Sequence, residues 1–357
     1  MTIEKLPTLK DVGSLAGVSA ATASMALRKD PRISSGTQKR VLQAASRLGY
    51  RSDPTLAALV SRRNGGGRKS FSNMAVLVDS RWLRQGKVQL WMERFFEGMK
   101  RMGHQYGYQV EVLFYPRDIQ PGVNADRILH SRGIRGIALF PTPEDQEELT
   151  LDWEQYALVV IGHPALPRMP HRVGSDPFAA MNMVCAKLKA SGYRRAGLAH
   201  AVSQERELRY EFLGAISKER NLSGNLLKIV RPHLPEKFEK PAFLQWVRRE
   251  QPEVVVTVDE QVLPWLREDG YQVPGQIGVV FLNINSVHLP DPSGTSFHSD
   301  ATGENAVELL HSLLLKGETG FPVWPKEVLV YPEWVEGKTL LSRLSSPLSS
   351  SLAGGIV

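Results

Sequence analysis

The first fifty residues contain three short segments whose apolar positions repeat with the period of an α-helix. Each segment follows a hydroxyl residue that can cap a helix: Thr8, Ser19, and either Ser34 or Ser35. Asp11 follows Thr8 at the spacing of a capping box. The residues expected to face inward are Leu9, Val12, Leu15, Ala16, Ala23, Ala26, Leu27, Val41, Leu42, Ala45 and Leu48. The pattern predicts three helices around one small core.

A tight turn containing Gly17 separates the first two predicted helices. Two helices joined in this way and braced by a third form a helix-turn-helix, whose second helix enters the major groove of DNA. The second helix, from Ala20 to about Arg28, offers small side chains for close approach and hydroxyls for phosphate contacts. The small residues are Ala20, Ala21 and Ala23, and the hydroxyl residues are Ser19, Thr22 and Ser24.

From residue 73 onward, short apolar runs alternate with segments of helical length. The runs cover residues 75–78, 110–114, 136–140, 157–161, 195–199, 254–258 and 277–281, and residues 90–107 form an amphipathic helix. Such runs predict parallel strands covered on both faces by helices. We therefore expect two doubly wound lobes, with a ligand cleft at the carboxyl ends of their strands.

Positive charge is concentrated at the start of the chain. Residues 1–69 contain thirteen Lys or Arg and four Asp or Glu, a net charge of +9, so the rest of the 357 residues carries −2 of the total of +7. An excess of this kind suits contact with a polyanion, although a solvated basic tail would also produce it. Cys185 is the only cysteine, which excludes an internal disulfide. No secretory signal or bilayer-spanning run is apparent, so a cytoplasmic location is expected.

Residues 8–50 resemble the signature of the LacI/GalR (lactose-repressor) family at nearly every position, beginning with TLKDVGSLAGVSAATASMAL. The resemblance implies a dimer that reads operator DNA and responds to a small molecule. It also implies a hinge helix in residues 54–60 that forms on DNA and inserts Leu59 into the minor groove. The alternative is that Leu59 packs in an interdomain contact. The residues then expected at the DNA are Thr8, Ser19, Ala20, Ala21, Thr22, Ser24, Met25, Arg28, Lys29, Arg32, Tyr50 and Leu59.

Met25 departs from the family, which usually carries arginine at this position of the recognition helix. Methionine cannot make the bidentate guanine contact of arginine, but it can touch a thymine methyl group. We therefore expect an operator that differs from the usual one at the bases under Met25. Ser52-Asp53 also replaces the usual Pro-Asn.

Residues 73–340 resemble the periplasmic-binding-protein-like sensor of the same family. The resemblance places the crossings between lobes near Gly192 and near Asp300. It implies effector contacts from Arg209 and Asp259. We add Trp82 as a stacking platform, and Asp176 and Asn283 as polar residues at strand ends. The complete set is Trp82, Asp176, Arg209, Asp259 and Asn283. For each, the alternatives are a surface salt bridge, a strand-end cap or a core aromatic. His163, His200 and His298 lack metal-ligand spacing and are expected to be solvated or to cap helices.

Together these features predict an all-α helix-turn-helix domain followed by an α/β two-lobed, periplasmic-binding-protein-like sensor domain. The expected divisions are residues 1–53 for the DNA-binding domain, 54–72 for the hinge and Gly-rich linker, 73–341 for the sensor, and 342–357 for a Ser-rich disordered tail. The expected partners are double-stranded operator DNA, a small-molecule effector with carbohydrate as the default class, and a second copy of the chain. No cofactor, metal, membrane contact or catalysis is expected. The alternatives are a periplasmic solute-binding protein and an enzyme that uses the cleft.

Overall fold

The chain divides into two units, Met1–Ser70 and Phe71–Val357. The computed structural model describes residues 8–27, 33–48, 72–83, 86–120, 123–140, 151–162, 168–222, 224 and 226–343. The predicted hinge, except for its last residue, and the tail from residue 344 therefore lie outside the described residues.

The first unit contains the three predicted helices, α1 (Leu9–Ala16), α2 (Ala20–Leu27) and α3 (Ser35–Leu48). Both arms of the capping box form at α1: the Thr8 amide donates to Asp11 at 2.8 Å, and the Asp11 amide donates to the Thr8 hydroxyl at 3.4 Å. Gly17 ends α1 in the left-handed conformation, with φ +65°. Ser34, not Ser35, caps α3, because its hydroxyl accepts from the Thr37 amide at 3.3 Å.

The core of the first unit is built largely from alanine. Its buried residues are Val12, Ala16, Ala23, Ala26, Val41, Ala44 and Ala45. Three leucines expected to face inward do not: Leu15, Leu42 and Leu48 are 48%, 46% and 36% exposed. The buried stripe of α3 follows Val41 and Ala44–Ala45, so Leu42 lies about 100° around the helix from it. Leu48 is the last residue of α3 and lies beyond the last core position.

The second unit consists of two lobes, each with a six-stranded sheet. The sheet of the first lobe has the order β11-β5-β4-β3-β1-β2 and is parallel throughout. Its strands are β1 (Ser72–Asp79), β2 (Tyr108–Tyr115), β3 (Ile134–Leu139), β4 (Ala157–Ile161), β5 (His171–Ser175) and β11 (Glu327–Val330). Its helices are α4 (Leu90–Tyr106), α5 (Ala125–Ser131) and α11 (Ser299–Lys316).

The sheet of the second lobe has the order β12-β10-β9-β8-β6-β7, and only the pair β10–β12 is antiparallel. Its strands are β6 (Arg195–Leu198), β7 (Lys228–Ile229), β8 (Val254–Thr257), β9 (Gly278–Phe281), β10 (Gly294–Ser296) and β12 (Glu333–Val335). Its helices are α6 (Pro177–Ala190), α7 (Val202–Glu207), α8 (Glu211–Leu222), α9 (Lys240–Glu250) and α10 (Val262–Glu268). Among the described helices, none is long and apolar enough to cross a membrane.

All seven apolar runs that predicted strands are strands, and the two-lobed architecture is confirmed. The chain passes between the lobes three times. The first crossing, at residues 175–177, precedes α6, because residues of α6 pack into the core of the second lobe. The prediction of a crossing near Gly192 was therefore wrong, since it assigned α6 to the lobe of the preceding strand. The second crossing, at residues 297–298, confirms the prediction near Asp300, and the third, at residues 331–332, was not predicted.

Helices α4 and α11 of the first lobe approach each other through glycine. A Cβ atom at Gly98 would lie 2.0 Å from the Asp300 carbonyl oxygen, and one at Gly303 would lie 2.2 Å from the Phe95 carbonyl oxygen. Because these neighbours are backbone atoms, a side chain at either glycine requires the helices to move apart. This contact fixes α11 at the point where the chain re-enters the first lobe.

We expect Gly98→Ala to destabilise the protein by roughly 1–3 kcal/mol, the usual cost of overpacking. The matched control is Gly214→Ala in α8, where a Cβ atom would lie 3.8 Å from the Phe178 ring, an ordinary contact. The control should be neutral or more stable by about 0.5–1 kcal/mol, because alanine favours helix over glycine. Urea unfolding of both variants measures the difference. Equal stability of the two variants would contradict the close helix contact.

Candidate functional site

The first two residues of α2 are exposed, and two alanines on its other side anchor the helix in the core. Ala20 and Ala21 are exposed, whereas Ala23 and Ala26 are completely buried. Thr22, Ser24 and Met25 are half-buried at the boundary. A helix with small exposed residues at its start can approach another surface closely. Arg28, Lys29, Arg32, Tyr50 and Leu59, also predicted to contact DNA, lie outside the described residues.

Several hydroxyls predicted to face DNA take part in building the helix starts. The Ser19 hydroxyl accepts from the Thr22 amide at 3.1 Å and lies 2.9 Å from the Thr22 hydroxyl. The Thr8 hydroxyl donates to Asp11 at 2.6 Å. No acidic residue occupies the first turn of α2. The positive end of its helix dipole is therefore not offset by its own side chains, which favours an anion beside it.

Four of the five predicted effector residues closely follow the carboxyl ends of strands in the second unit, and the fifth, Arg209, lies in the turn after α7. Trp82 comes after β1, Asp176 after β5, Arg209 after β6 and α7, Asp259 after β8, and Asn283 after β9. Carboxyl ends of parallel strands share one edge of a sheet, where ligands bind in doubly wound folds. Their ligand-binding roles stay predictions.

Three of these five residues cap the turn that follows their strand. Asp176 accepts from the Ala179 amide at 2.7 Å, at the start of α6. Asp259 accepts from the Gln261 amide at 2.8 Å, and Asn283 accepts from the Asn285 amide at 3.1 Å. Each therefore has the strand-end capping role that was the alternative to effector binding. In each contact a single side-chain oxygen accepts, and an ionised carboxylate has further acceptor sites.

Trp82 belongs to an aromatic group at the carboxyl end of β1. Its ring meets Trp91 edge to face, with centroids 6.0 Å apart, and Trp91 packs on the buried Phe140 at 5.8 Å. Gln89 links the two residues: its side chain donates to the main-chain carbonyl of Trp82 at 2.9 Å and accepts from the Trp91 ring nitrogen at 3.3 Å. Both indoles are half-buried. Trp91, at the start of an amphipathic helix, was not among the residues that the sequence analysis named.

A group of charged side chains surrounds the first crossing between the lobes. Arg172 on β5 is only 5% exposed and pairs with Glu327 on β11 through two 3.0 Å hydrogen bonds. Burial raises the pKa of Glu211, the first residue of α8; nearby Arg172 opposes this rise and Asp176 adds to it. Glu211 also accepts a hydrogen bond from the main chain of Phe178 in the first turn of α6, so it lies beside the start of that helix. This places Asp176 and the turn that carries Arg209 in one region.

The expectation for His200 was wrong. Its ring is neither solvated nor a cap but completely buried, and Nε2 lies 3.0 Å from Oε1 of the equally buried Glu205. His298 occupies the N-cap position of α11, and its Nε2 lies 3.3 Å from Glu333. His163 lies outside the described residues. Among the residues that the structure describes, no three His, Cys, Asp or Glu side chains are grouped to hold a metal ion.

Comparisons with known proteins agree with this two-unit architecture. The family of bacterial regulatory proteins named after lacI matches residues 8–53, and the periplasmic binding protein-like domain matches residues 185–340. No curated protein matches the chain.

Solved structures of the same fold span most of the chain. One is the lac repressor dimer bound to operator and the anti-inducer ONPF, with 18% identity, coverage of 94% of this chain and 100% of that chain, and a TM-score of 0.53. A complex of the transcriptional regulator CelR with cellobiose has 17% identity, coverage of 93% and 99%, and a TM-score of 0.53. A putative regulator from Rhizobium etli has 14% identity, coverage of 76% and 99%, and a TM-score of 0.55. At these identities the likeness shows the fold.

We expect Glu211→Gln to raise the thermal unfolding midpoint at neutral pH. A carboxyl whose pKa is raised by folding is destabilising when ionised, and this penalty grows as pH rises from the unfolded pKa through the folded pKa. The gain of the variant should therefore shrink as pH falls into the range where Glu211 is protonated in both states. Thermal unfolding across a pH series measures it.

The control is Glu236→Gln, because Arg206 lowers the pKa of Glu236 through a hydrogen bond. At neutral pH this control should have a slightly lower thermal unfolding midpoint than the parent. That change is opposite to the one expected for Glu211→Gln. A lower midpoint for Glu211→Gln at neutral pH would show that Glu211 stabilises the fold as an anion.

Proposed function

We propose that the chain is a sequence-specific DNA-binding regulator of the lacI family of bacterial regulatory proteins, with repression as its expected action, controlled by a small molecule. The observation that carries this proposal is the union in one chain of a helix-turn-helix with an exposed α2 and a two-lobed α/β unit. DNA recognition accounts for the first unit, and effector binding accounts for the second. A regulator of this kind acts on DNA in the cytoplasm.

The proposed DNA contacts are those of the recognition helix, its flanking cations and the hinge leucine. Ala20 and Ala21 allow α2 to enter the major groove, and Met25 meets a base edge. The hydroxyls of Thr8, Ser19, Thr22 and Ser24 face the phosphates, and those of Thr8, Ser19 and Thr22 also take part in the helix starts. Arg28, Lys29, Arg32 and Tyr50 bind the backbone, and Leu59 wedges into the minor groove.

The proposed mechanism is linkage between effector binding and operator binding. Three crossing segments join the lobes, and an effector bound between them favours one lobe geometry over others. That geometry alters how two heads of a homodimer are held against the two half-sites of an operator, so that effector and DNA affect each other's affinity. Carbohydrate is the first effector class to examine, because the half-buried indoles of Trp82 and Trp91 can stack on a sugar ring.

Selection of bound duplexes from a random pool tests the function directly. We expect enrichment of a two-fold symmetric sequence, because a symmetric dimer reads two equivalent half-sites. Affinity for it should fall as salt rises, with a logarithmic slope of roughly −0.9 for each phosphate neutralised. A shuffled duplex of equal length serves as the control. Failure to enrich any sequence would contradict the proposal. A solute-binding protein for transport would give that result, because it does not recognise a duplex.

We expect Met25→Arg to change the operator in a defined way. The guanidinium can bond to both guanine acceptors in the major groove, which is worth roughly 1–3 kcal/mol of discrimination. Selection with this variant should therefore introduce guanine at one position of each half-site. Met25→Leu is the control and should leave the selected sequence unchanged. An identical selected sequence for the arginine variant would exclude residue 25 from base contact.

A further inference from the structure

The sheet of the first lobe ends in a strand whose outer side is open. β11 is the last strand in the sheet order, and no strand of the described residues pairs with it on the side away from β5. Its pairing with β5 runs from Glu327 to Val330 without a bulge. The outer side of such an edge strand carries main-chain groups that can pair with a further strand.

One hydrogen bond shows which main-chain groups of β11 point outward. The Arg172 amide of β5 donates to the Lys326 carbonyl at 2.8 Å. In a parallel pair, every second residue of a strand directs both its N–H and its C=O toward the neighbouring strand. Lys326 and Val328 therefore face β5, whereas the N–H and C=O of Glu327 and Leu329 point away from the sheet.

The side chains of the outward-pointing residues are mostly apolar. Leu329 is 43% exposed, and Tyr331, which follows the strand directly, is 67% exposed. The charged residue among them, Glu327, is held by Arg172 through two 3.0 Å hydrogen bonds. Natural proteins commonly protect an edge strand with lysine or proline, and residues 327–331 contain neither. The sequence therefore leaves this edge able to accept another strand.

The loop just before β11 presents Val323 and Trp324 to solvent. Their exposed fractions are 80% and 82%. The loop itself is anchored, because Arg168 donates to the Phe321 carbonyl at 3.2 Å and places its guanidinium 5.2 Å from the centre of the Phe321 ring. At its other end the loop is joined to β5 through the main chain of Lys326. An anchored loop loses little conformational entropy when its exposed ring is covered by a partner.

A second copy of β11 fits the open edge, because the strand is complementary to itself. Antiparallel strands exchange main-chain hydrogen bonds at every second residue. About a two-fold axis at Leu329, the outward-pointing residues of both copies meet: Leu329 opposes Leu329, and Tyr331 opposes Glu327. Each Tyr331 ring then lies diagonally across from the other copy's Leu329, within reach of an aromatic side chain. Pro325 and Pro332 limit the pairing to the residues between them, since proline has no N–H to donate.

The exposed aromatic rings at this edge offer much of the area that such an interface needs. A specific interface buries roughly 800 Å² of each partner. Tryptophan and tyrosine side chains bury about 150–250 Å² each. Trp324 and Tyr331 together should therefore supply roughly half of the area on each copy.

We propose that the open edge of β11, together with Trp324, is an interface between two copies of this chain that pair antiparallel about Leu329. Because β1 and β11 are parallel strands of one sheet, Ser72, where the chain enters the first lobe, lies at opposite ends of the two copies. The interface is therefore separate from one that holds two heads on a single operator. Only this consequence rests on the proposed function: the β11 pair joins two DNA-binding dimers into a tetramer.

Sedimentation velocity of the full chain tests the interface. Leu329→Lys places a charge at the centre of the strand pair, so the parent should have twice the mass of this variant at the same concentration. Trp324→Ala should raise the concentration needed for association about tenfold or more, as expected for a central aromatic residue of an interface. The control is Leu222→Lys in α8, where the leucine is 76% exposed, and it should keep the parent's mass. Equal masses for the parent and Leu329→Lys would overturn the interface.

Oxidation of cysteine variants with copper phenanthroline tests the register, and it also serves if Leu329→Lys does not fold. Leu329→Cys should form a disulfide-linked pair, because opposed residues have Cα atoms about 5.5 Å apart. Tyr331→Cys should not, because its two cysteines are four residues apart along the strands, about 14 Å. The native Cys185 is buried, and burial raises its pKa to about 12, so it should not react. Linking of Tyr331→Cys, or no linking of Leu329→Cys, would overturn the pairing about Leu329.

Duplex selection with the parent and with Leu329→Lys separates this inference from the proposed function. We expect the variant to have half the parent's mass and to select the same half-site, because β11 lies outside the DNA-binding unit. An unchanged mass with normal duplex selection refutes only the interface. A halved mass in a protein that selects no duplex refutes only the regulator.

Discussion

The chain passes between its two sheets three times, so three short segments join the two lobes. Two of these crossings leave from adjacent strands, because β5 and β11 pair in parallel with Arg172 opposite Glu327. The remaining crossing, at residues 297–298, enters α11, which is fixed against α4 by the close approach at Gly98 and Gly303. Rigid packing on the first-lobe side therefore leaves the short crossing segments to absorb any change in lobe geometry. An effector acts on the operator only if its binding energy differs between such geometries.

The nearly buried charged side chain at the first crossing, Arg172, has a carboxylate partner in Glu327. Arg172 is nearly buried, but Glu327 meets it with two hydrogen bonds, and Gly174 leaves room for the guanidinium, since a Cβ atom there would lie 3.2 Å from its Nη1. A buried ion without a partner would cost several kcal/mol. Glu211 approaches this pair from the other lobe as a further carboxyl group. Burial raises the pKa of Glu211, Asp176 and Glu327 add to this rise, and Arg172 opposes it.

Much of the architecture could be predicted from the sequence because each signal had a local cause. The capping box at Thr8 depends on four residues, and the central strands are apolar on both faces wherever helices cover both sides. Strands β7, β10 and β12 have only two or three residues, and β11 lies at an edge with alternating exposure, so none produces an apolar run. The lobe to which α6 belongs depends on packing between distant segments. No local pattern reports that contact.

The candidate site was harder to predict than the fold, because no local pattern fixes the role of a polar side chain. Spacing identified polar residues at strand ends, but a polar residue there can cap a turn, bind a ligand or do both. His200 shows the limit most clearly, because only the folded chain brings Glu205 against its ring. The polarity of His200 suggested that its ring is solvated, whereas the His200–Glu205 pair is completely buried. Glu205 also accepts from the Leu213 amide at 3.3 Å, so the buried pair joins the end of β6 to the first turn of α8.

Capping and ligand binding need not compete at Asp176, Asp259 and Asn283. A cap occupies one side-chain oxygen and fixes the direction of the remaining lone pairs or of the amide group. Such fixed groups lose little conformational entropy when a ligand arrives, which increases affinity for a given set of contacts. At Asp176 the arrangement has a further consequence, because the capped helix α6 begins at the crossing and packs in the second lobe. A ligand held there would sense the position of the lobe directly through the first turn of α6.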